Sequence, residues 1–303
     1  MKKDPNALTR QTYQSDLAGS WYPGEVDTLR TLLDNWLTTA RAKMPAAEAP
    51  RALIVPHAGY AYSGRTAAYA FARAAGRPYR RVIVLGPSHR VPMRNRIAIP
   101  DATGYETILG SLAIDEACVR RLREDPHFEY VAGAQPGEHS VEIMFPFLQR
   151  VLPEVPVVPL VVGQLDETTA RAVAHALRRE LDGDTLLIVS TDFTHYGRRF
   201  DYVPFTTDIE ANLRRLDLGA FAFIEQRDLR GFRTYVRDTG ATICGRDTLS
   251  ILLALMEGGD QTVRLLQYET SGHITGDWSH VVSYVAAEVV GPWPPVRERA
   301  KPS

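Results

Sequence analysis

Four runs of unbroken apolar residues punctuate the first two thirds of the chain: ALIVP ending at Pro56, RVIVLG over 81–86, VPVVPLVVG around 157–162, and DTLLIVS ending at Ser190. A strand that is apolar at every position is covered on both faces, as in a parallel sheet lying between layers of helices. Between these runs the apolar spacing changes to that of helices. Val26, Leu29, Leu33, Trp36 and Leu37 predict an amphipathic helix over 25–41. Further helices are predicted at 66–75, 116–124, 139–151 with Pro146 as a kink, and 167–181. The last third predicts helices at 208–219, 228–238 and 246–257, and then two sheet-completing strands, TVRLLQYET and HVVSYVAAEVV. Strand–helix alternation of this kind predicts an α/β fold, a three-layer α/β/α sandwich with a mixed, largely parallel central sheet. No strong boundary interrupts the pattern, so one domain is expected over 1–303, with short polar tails at about 1–16 and 293–303.

Composition narrows the partners. The chain has 303 residues, which one large α/β sheet can absorb, and its 45% apolar and 23% charged content is that of an ordinary globular protein. A net charge of -1 and scattered arginines give no basic stripe, so neither nucleic acid nor an anionic membrane is expected as partner. There is no apolar leader and no run near the roughly 20 residues of a membrane helix. Two cysteines, Cys118 and Cys244, make no disulfide framework. The expected compartment is therefore the reducing cytoplasm, with Cys244 free as a thiol or thiolate.

The chemistry gathers where the apolar runs stop. His57 follows ALIVP, His89 follows RVIVLGPS, and Asp192 and His195 follow the run that ends at Ser190. Ligand sites of open α/β sheets lie beyond the carboxyl ends of the strands, so neighbouring parallel strands would bring these groups to one edge. A single histidine after a strand is usually a turn residue; three in the same slot argue for a site. Asp192 and His195 stand three apart in DFTH, a spacing that on a helical turn lets the carboxylate orient the imidazole. Cys244 closes a short apolar run before Gly245 opens a helix, where the helix dipole would lower a thiol pKa. Cys118 reads as a small buried hydrophobe. His139 reads either as a helix cap or as a residue reaching the site. Two histidines and one anionic side chain form a facial ligand set with open positions, the third ligand being Cys244 or Asp192.

The ordered segments AGSWYPG, PHAGYAYSG, LGPSHRVP, EHSVEIMFPFLQ, VPLVVGQ, STDFTHYGRRF, TICGRDTL and HVVSYVAAEV resemble the Memo family over about 18–287. That family includes the animal mediator of cell motility and bacterial protein B of the AmmeMemoRadiSam system. It is similar in fold to class III extradiol dioxygenases, which are non-haem Fe(II) enzymes. The resemblance implies His57, His89 and Cys244 as metal ligands, His195 as acid or base beside Asp192, and Trp21 and Tyr62 as pocket aromatics. It also implies a redox metal, iron or copper first and zinc third, and association with a radical-SAM protein. Cys244 stands where the dioxygenases carry a carboxylate, and its softer, oxidisable sulfur separates the fold from catechol cleavage.

Three functions follow as expectations. The first is a metal-dependent oxidoreductase acting on a small aromatic or peptide substrate. The second is a non-catalytic protein that binds a peptide or other ligand through Trp21, Tyr60 and Tyr62. The third is a thiol hydrolase with Cys244 as nucleophile, His195 as base and Asp192 as orienter.

Overall fold

The computed structural model describes residues 11–295. In chain order its elements begin with β1 (Thr12–Gln14), α1 (Val26–Lys43), β2 (Ala52–Val55), α2 (Tyr60–Ala74), β3 (Arg81–Pro87), β4 (Ile97–Ile99), β5 (Gly104–Thr107) and β6 (Gly110–Ala113). Next come α3 (Glu116–Leu122), β7 (Phe128–Tyr130), α4 (His139–Glu142), α5 (Phe145–Val151), β8 (Val157–Val162), α6 (Glu167–Arg178), β9 (Thr185–Ser190) and β10 (His195–Tyr196). The chain continues through α7 (Ile209–Glu225), α8 (Leu229–Thr239), α9 (Arg246–Met256), β11 (Thr262–Thr270), α10 (Ser271–Thr275) and β12 (Val281–Val290).

The four apolar runs are β2, β3, β8 and β9, and every residue in them is buried. They lie side by side in the order β2-β9-β3-β8, all parallel. Antiparallel strands extend this block on both sides: β12 joins β2, with β10 and β11 on β12, and β4 joins β8 and carries β7 in parallel. The sheet is thus mixed with a parallel centre. Helices α1, α2 and α5 pack together on one layer, and α6, α8 and α9 on the other. α1 turns Leu29, Leu33, Leu37 and Ala40 inward, the i, i+4 stripe its sequence spells.

Several elements differ from the sequence expectation, each for a local reason. The single kinked helix expected over 139–151 is two helices, because Pro146 sits in the first turn of α5, where its missing N–H costs nothing. α2 starts at Tyr60 rather than at 66, with Gly59 as its N-cap. The expected tail at 1–16 contains β1, which pairs in parallel with β5, while β5 pairs with β6 to close a separate small sheet. Likewise Trp293, placed in the C-terminal tail, is buried, and its carbonyl accepts from Arg178. Residues 1–10 and 296–303 of those tails lie outside the described residues. No helix among the described residues is long and apolar enough to cross a membrane.

Candidate metal centre

β2, β9 and β3 are adjacent and run the same way, so His57, Asp192 and His89, each two residues beyond its strand, reach one edge. Cys244 arrives at the same edge from the turn before α9. His57, His89 and Cys244 can each present a ligand atom within 4.8 Å of the other two. The Cys244 Sγ lies 3.1 Å from His57 Nε2. Two ligands at about 2.3 Å (sulfur) and 2.0 Å (nitrogen) on a tetrahedral ion stand roughly 3.5 Å apart, so the spacing suits one ion.

The imidazoles are aimed before any ion arrives. His57 is buried, and its Nδ1 meets Ser190 Oγ at 2.7 Å, which leaves Nε2 facing the sulfur. Its peptide N–H donates to Asp192 Oδ1 at 2.8 Å. Burial, and then the neighbouring charges of His89, His139 and His195, hold the His57 pKa well below the usual imidazole value, so the ring stays neutral, the form that can ligate a cation. His89 is the open member of the set. Glu138, fully buried, accepts its peptide N–H at 2.8 Å and its Nδ1 at 3.0 Å, leaving Nε2 for the ion. Burial alone would raise the Glu138 pKa, but the hydrogen bonds from the His89 side chain and backbone outweigh it and keep the carboxyl below its ordinary range. A carboxylate behind a ligating histidine fixes its tautomer and raises its basicity.

Cys244 departs from the sequence expectation. It does sit just before α9, but burial, and then the nearby Asp192 carboxylate, push its thiol pKa up rather than down. The donated hydrogen bond from the Asp192 N–H, at 3.1 Å, is too weak to reverse this. The free site therefore holds a thiol, and a cation must displace its proton to bind.

Asp192 and His195 also take other roles than the DFTH spacing suggests. The segment is not a helical turn, because His195 opens β10 and pairs with β12. Asp192 is buried; its carboxylate accepts from the backbone of His57 and Ala58 and interacts with His195 through charge rather than through a hydrogen bond. His195 Nδ1 instead faces two carbonyls, Phe193 O at 3.0 Å and Thr242 O at 3.1 Å. Two acceptors require Nδ1 to carry the proton, which leaves Nε2 as the basic atom. Thr242 brackets the residue further, its hydroxyl accepting from the His195 N–H and donating to the His195 carbonyl.

The pocket aromatics separate. Trp21 stacks on His139 with ring centroids 4.3 Å apart, and His139 lies 4.4 Å from His89 and 5.5 Å from His57 by the same measure. His139 thus belongs to the cluster; burial, and then His89, lower its pKa to about 4. Together with His89 and Glu138 it forms a second group spaced for a cation. Tyr62 lines a different cavity of about 440 Å³, with Trp36, Tyr69 and Ile274, whose walls include none of His57, His89 or Cys244. Tyr60 is a core residue whose hydroxyl donates to Ile143 O. Cys118 is fully buried. The supporting residues Ser190, Glu138 and Thr242 were not singled out in the sequence. Only Glu138, a carboxylate beside a histidine at a helix start, carried a signal there.

A parallel sheet edge that gathers imidazoles and a thiol defines an α/β protein whose donor groups are spaced as a cation would need them. The comparisons place it within a family. The model of the Memo-like protein family matches residues 14–288. The Caenorhabditis elegans protein memo-1 homolog is 33% identical over 302 residues, covering 94% of this chain and 84% of its own. Protein MEMO1 of Danio rerio is 34% identical, covering 90% and 95%, and protein MEMO1 of Homo sapiens is 33% identical, covering 89% and 94%. The chain belongs to the Memo family.

Proposed function

We propose that this chain is a metal-dependent oxidoreductase whose ion sits on His57, His89 and Cys244. The observation that carries the reading is the preset aim of the three donors: both histidines have their outer nitrogens engaged, by Ser190 and Glu138, and turn the remaining nitrogens toward one sulfur. Two imidazoles and one thiolate suit Cu(I), zinc or a thiolate-tolerant iron, and the redox reading takes iron or copper from that set. Bound there, such an ion supplies Lewis acidity and one-electron chemistry to a small aromatic or peptide substrate. The protein's own part is to orient and to move a proton. His195, locked as the Nδ1–H tautomer by two carbonyls, accepts a substrate proton at Nε2. Trp21, stacked on His139, offers a flat apolar wall beside the ligands. By family association, a radical-SAM protein is its proposed partner and the cytoplasm its proposed compartment.

The Trp21–His139 stack also suits a second reading, a binding protein that holds a peptide at the same place without turnover. The thiol hydrolase is disfavoured, because a thiol whose pKa is raised by burial is a poor nucleophile. The deciding experiment is metal analysis of protein purified without added metal, paired with oxygen consumption on a panel of catechols after Fe(II) or Cu(I) loading. Near-stoichiometric iron or copper, lost in His57→Ala, together with turnover lost in Cys244→Ser, supports the enzyme. Less than about 0.2 equivalents of any transition metal, unchanged in His57→Ala, sinks the metal site, which with three ligands should bind tightly. Metal binding with no turnover favours the binding protein.

A further inference from the structure

The loop that aims His89 also seats the residue after it. Arg90 donates from Nη1 to the Gly137 carbonyl at 3.0 Å, while Glu138, one residue on, holds His89. The seat needs a glycine. Gly137 has φ +74°, and a Cβ there would overlap Arg90 Nη1 and lie 3.2 Å from its Cζ. Glu142 braces the same residue from its other side, accepting the Gly137 N–H at 2.8 Å.

The guanidinium placed in this way keeps its charge. A carbonyl satisfies one N–H donor without neutralising the cation, and Arg90 Nε and Nη2 have no partner among the described residues. The carboxylates of the loop are committed elsewhere. Glu138 is fully buried and bonded to His89 and Ser140, and Glu142 is fully buried on the Gly137 N–H. Arg246 gives the contrast: it follows Cys244 by two residues and is tied to Asp247 at 2.9 Å. Arg90 is exposed, so water screens it in the free protein, and a ligand lying against it would displace that water.

Flat rings stand beside this cation. The His139 ring lies 4.4 Å from that of His89 and stacks on Trp21 at 4.3 Å, by ring centroids. The Arg90 charge reaches it, adding to burial and to His89 in keeping the His139 ring neutral. A guanidinium with a free edge, next to a stacked pair of rings, matches a planar ring that bears an acidic group. The ring would lie on the Trp21–His139 wall, and the carboxylate would take the free edge of Arg90 in two parallel hydrogen bonds.

We propose that Arg90 is a specificity-determining residue of this site and selects small planar ligands that carry a carboxylate. This deepens the proposed function and rests on its reading of the sheet edge as a substrate site. Isothermal titration of the full chain with 4-hydroxybenzoate and with its uncharged analogue 4-hydroxybenzamide tests it, because the two share one ring and differ in charge. The metal-free chain is titrated first, so that the preference is read without a metal–carboxylate bond, and the zinc-loaded chain second. The expected result is a Kd on the order of 1 mM for the acid and about tenfold weaker binding of the amide. Arg90→Gln should bring the two level by weakening the acid alone. Arg90→Lys, which keeps the charge without the fork, should retain only part of the preference. Equal affinities in the parent, an undiminished preference in Arg90→Gln, or no saturation by either probe at tens of millimolar would each overturn the proposal. Failure of the metal reading shows separately, as a chain that takes up no metal and still prefers the acid.

Discussion

Glu138 and Glu142 stand one helical turn apart, both fully buried, and the structure treats them oppositely. Glu138 is tied to His89 and kept ionised. Replacing it with Gln removes the charge behind the ligand while keeping its shape, so metal affinity should fall 10–100-fold by titration against a competing chelator. Glu142 has one oxygen on the Gly137 N–H and another without a partner among the described residues, and burial raises its pKa to about 7. A carboxyl whose folded pKa exceeds its unfolded value costs nothing below the unfolded value. Stability is then lost as pH rises through the folded value. The full cost above pH 7 is about 3 kcal/mol. Denaturant unfolding should show Glu142→Gln as more stable than the parent at pH 8 and level with it near pH 4.5; equal stability at both would contradict the assignment. At this scale His57 and His89 were legible because each ends an apolar run. The state of Cys244 was not, since helix position argues for a low thiol pKa, while burial and Asp192, both set by the tertiary fold, argue the other way. Nor was the true partner of Asp192 legible, because the backbone of His57 is 135 residues away.

Two close contacts between elements hold the candidate ligands in place. β3 meets α4 at Gly86, where a Cβ would come within 2.6 Å of Ser140 Oγ and Val141 Cγ2. The end of β9 meets the start of α9 at Gly245, where a Cβ would come within 2.3 Å of Thr191 Cβ. Only a residue without a side chain lets Glu138 reach His89 in the first case and Cys244 reach His57 in the second. Gly86→Ala should therefore lower stability by about 1–3 kcal/mol, the usual cost of overpacking, and weaken metal binding with it. Unchanged melting and affinity would show that α4 can shift freely. The four buried strands and the long helices were legible from periodicity, since burial on both faces leaves an unmistakable apolar run. The small sheet was not. β1, β5 and β6 are three or four residues each, and their stretch GYETILGSLA carries no sustained alternation. Pro146 was legible as a break but not as a start, because a proline marks either and only the chain before it decides.

The whole molecule brings distant segments to one point: residues 57, 89 and 244 come together because β2, β9 and β3 are parallel neighbours and α9 packs behind them. That parallel order follows from the α/β pattern, and the Memo family match over residues 14–288 agrees with it. The account therefore rests on one coordination sphere. X-ray absorption at the metal edge of the loaded protein measures it directly. The predicted spectrum has one sulfur at about 2.3 Å and two nitrogens at about 2.0 Å, with the sulfur lost in Cys244→Ser and a nitrogen lost in His57→Ala. A wild-type spectrum with only nitrogen and oxygen neighbours, or one unchanged by Cys244→Ser, would contradict it.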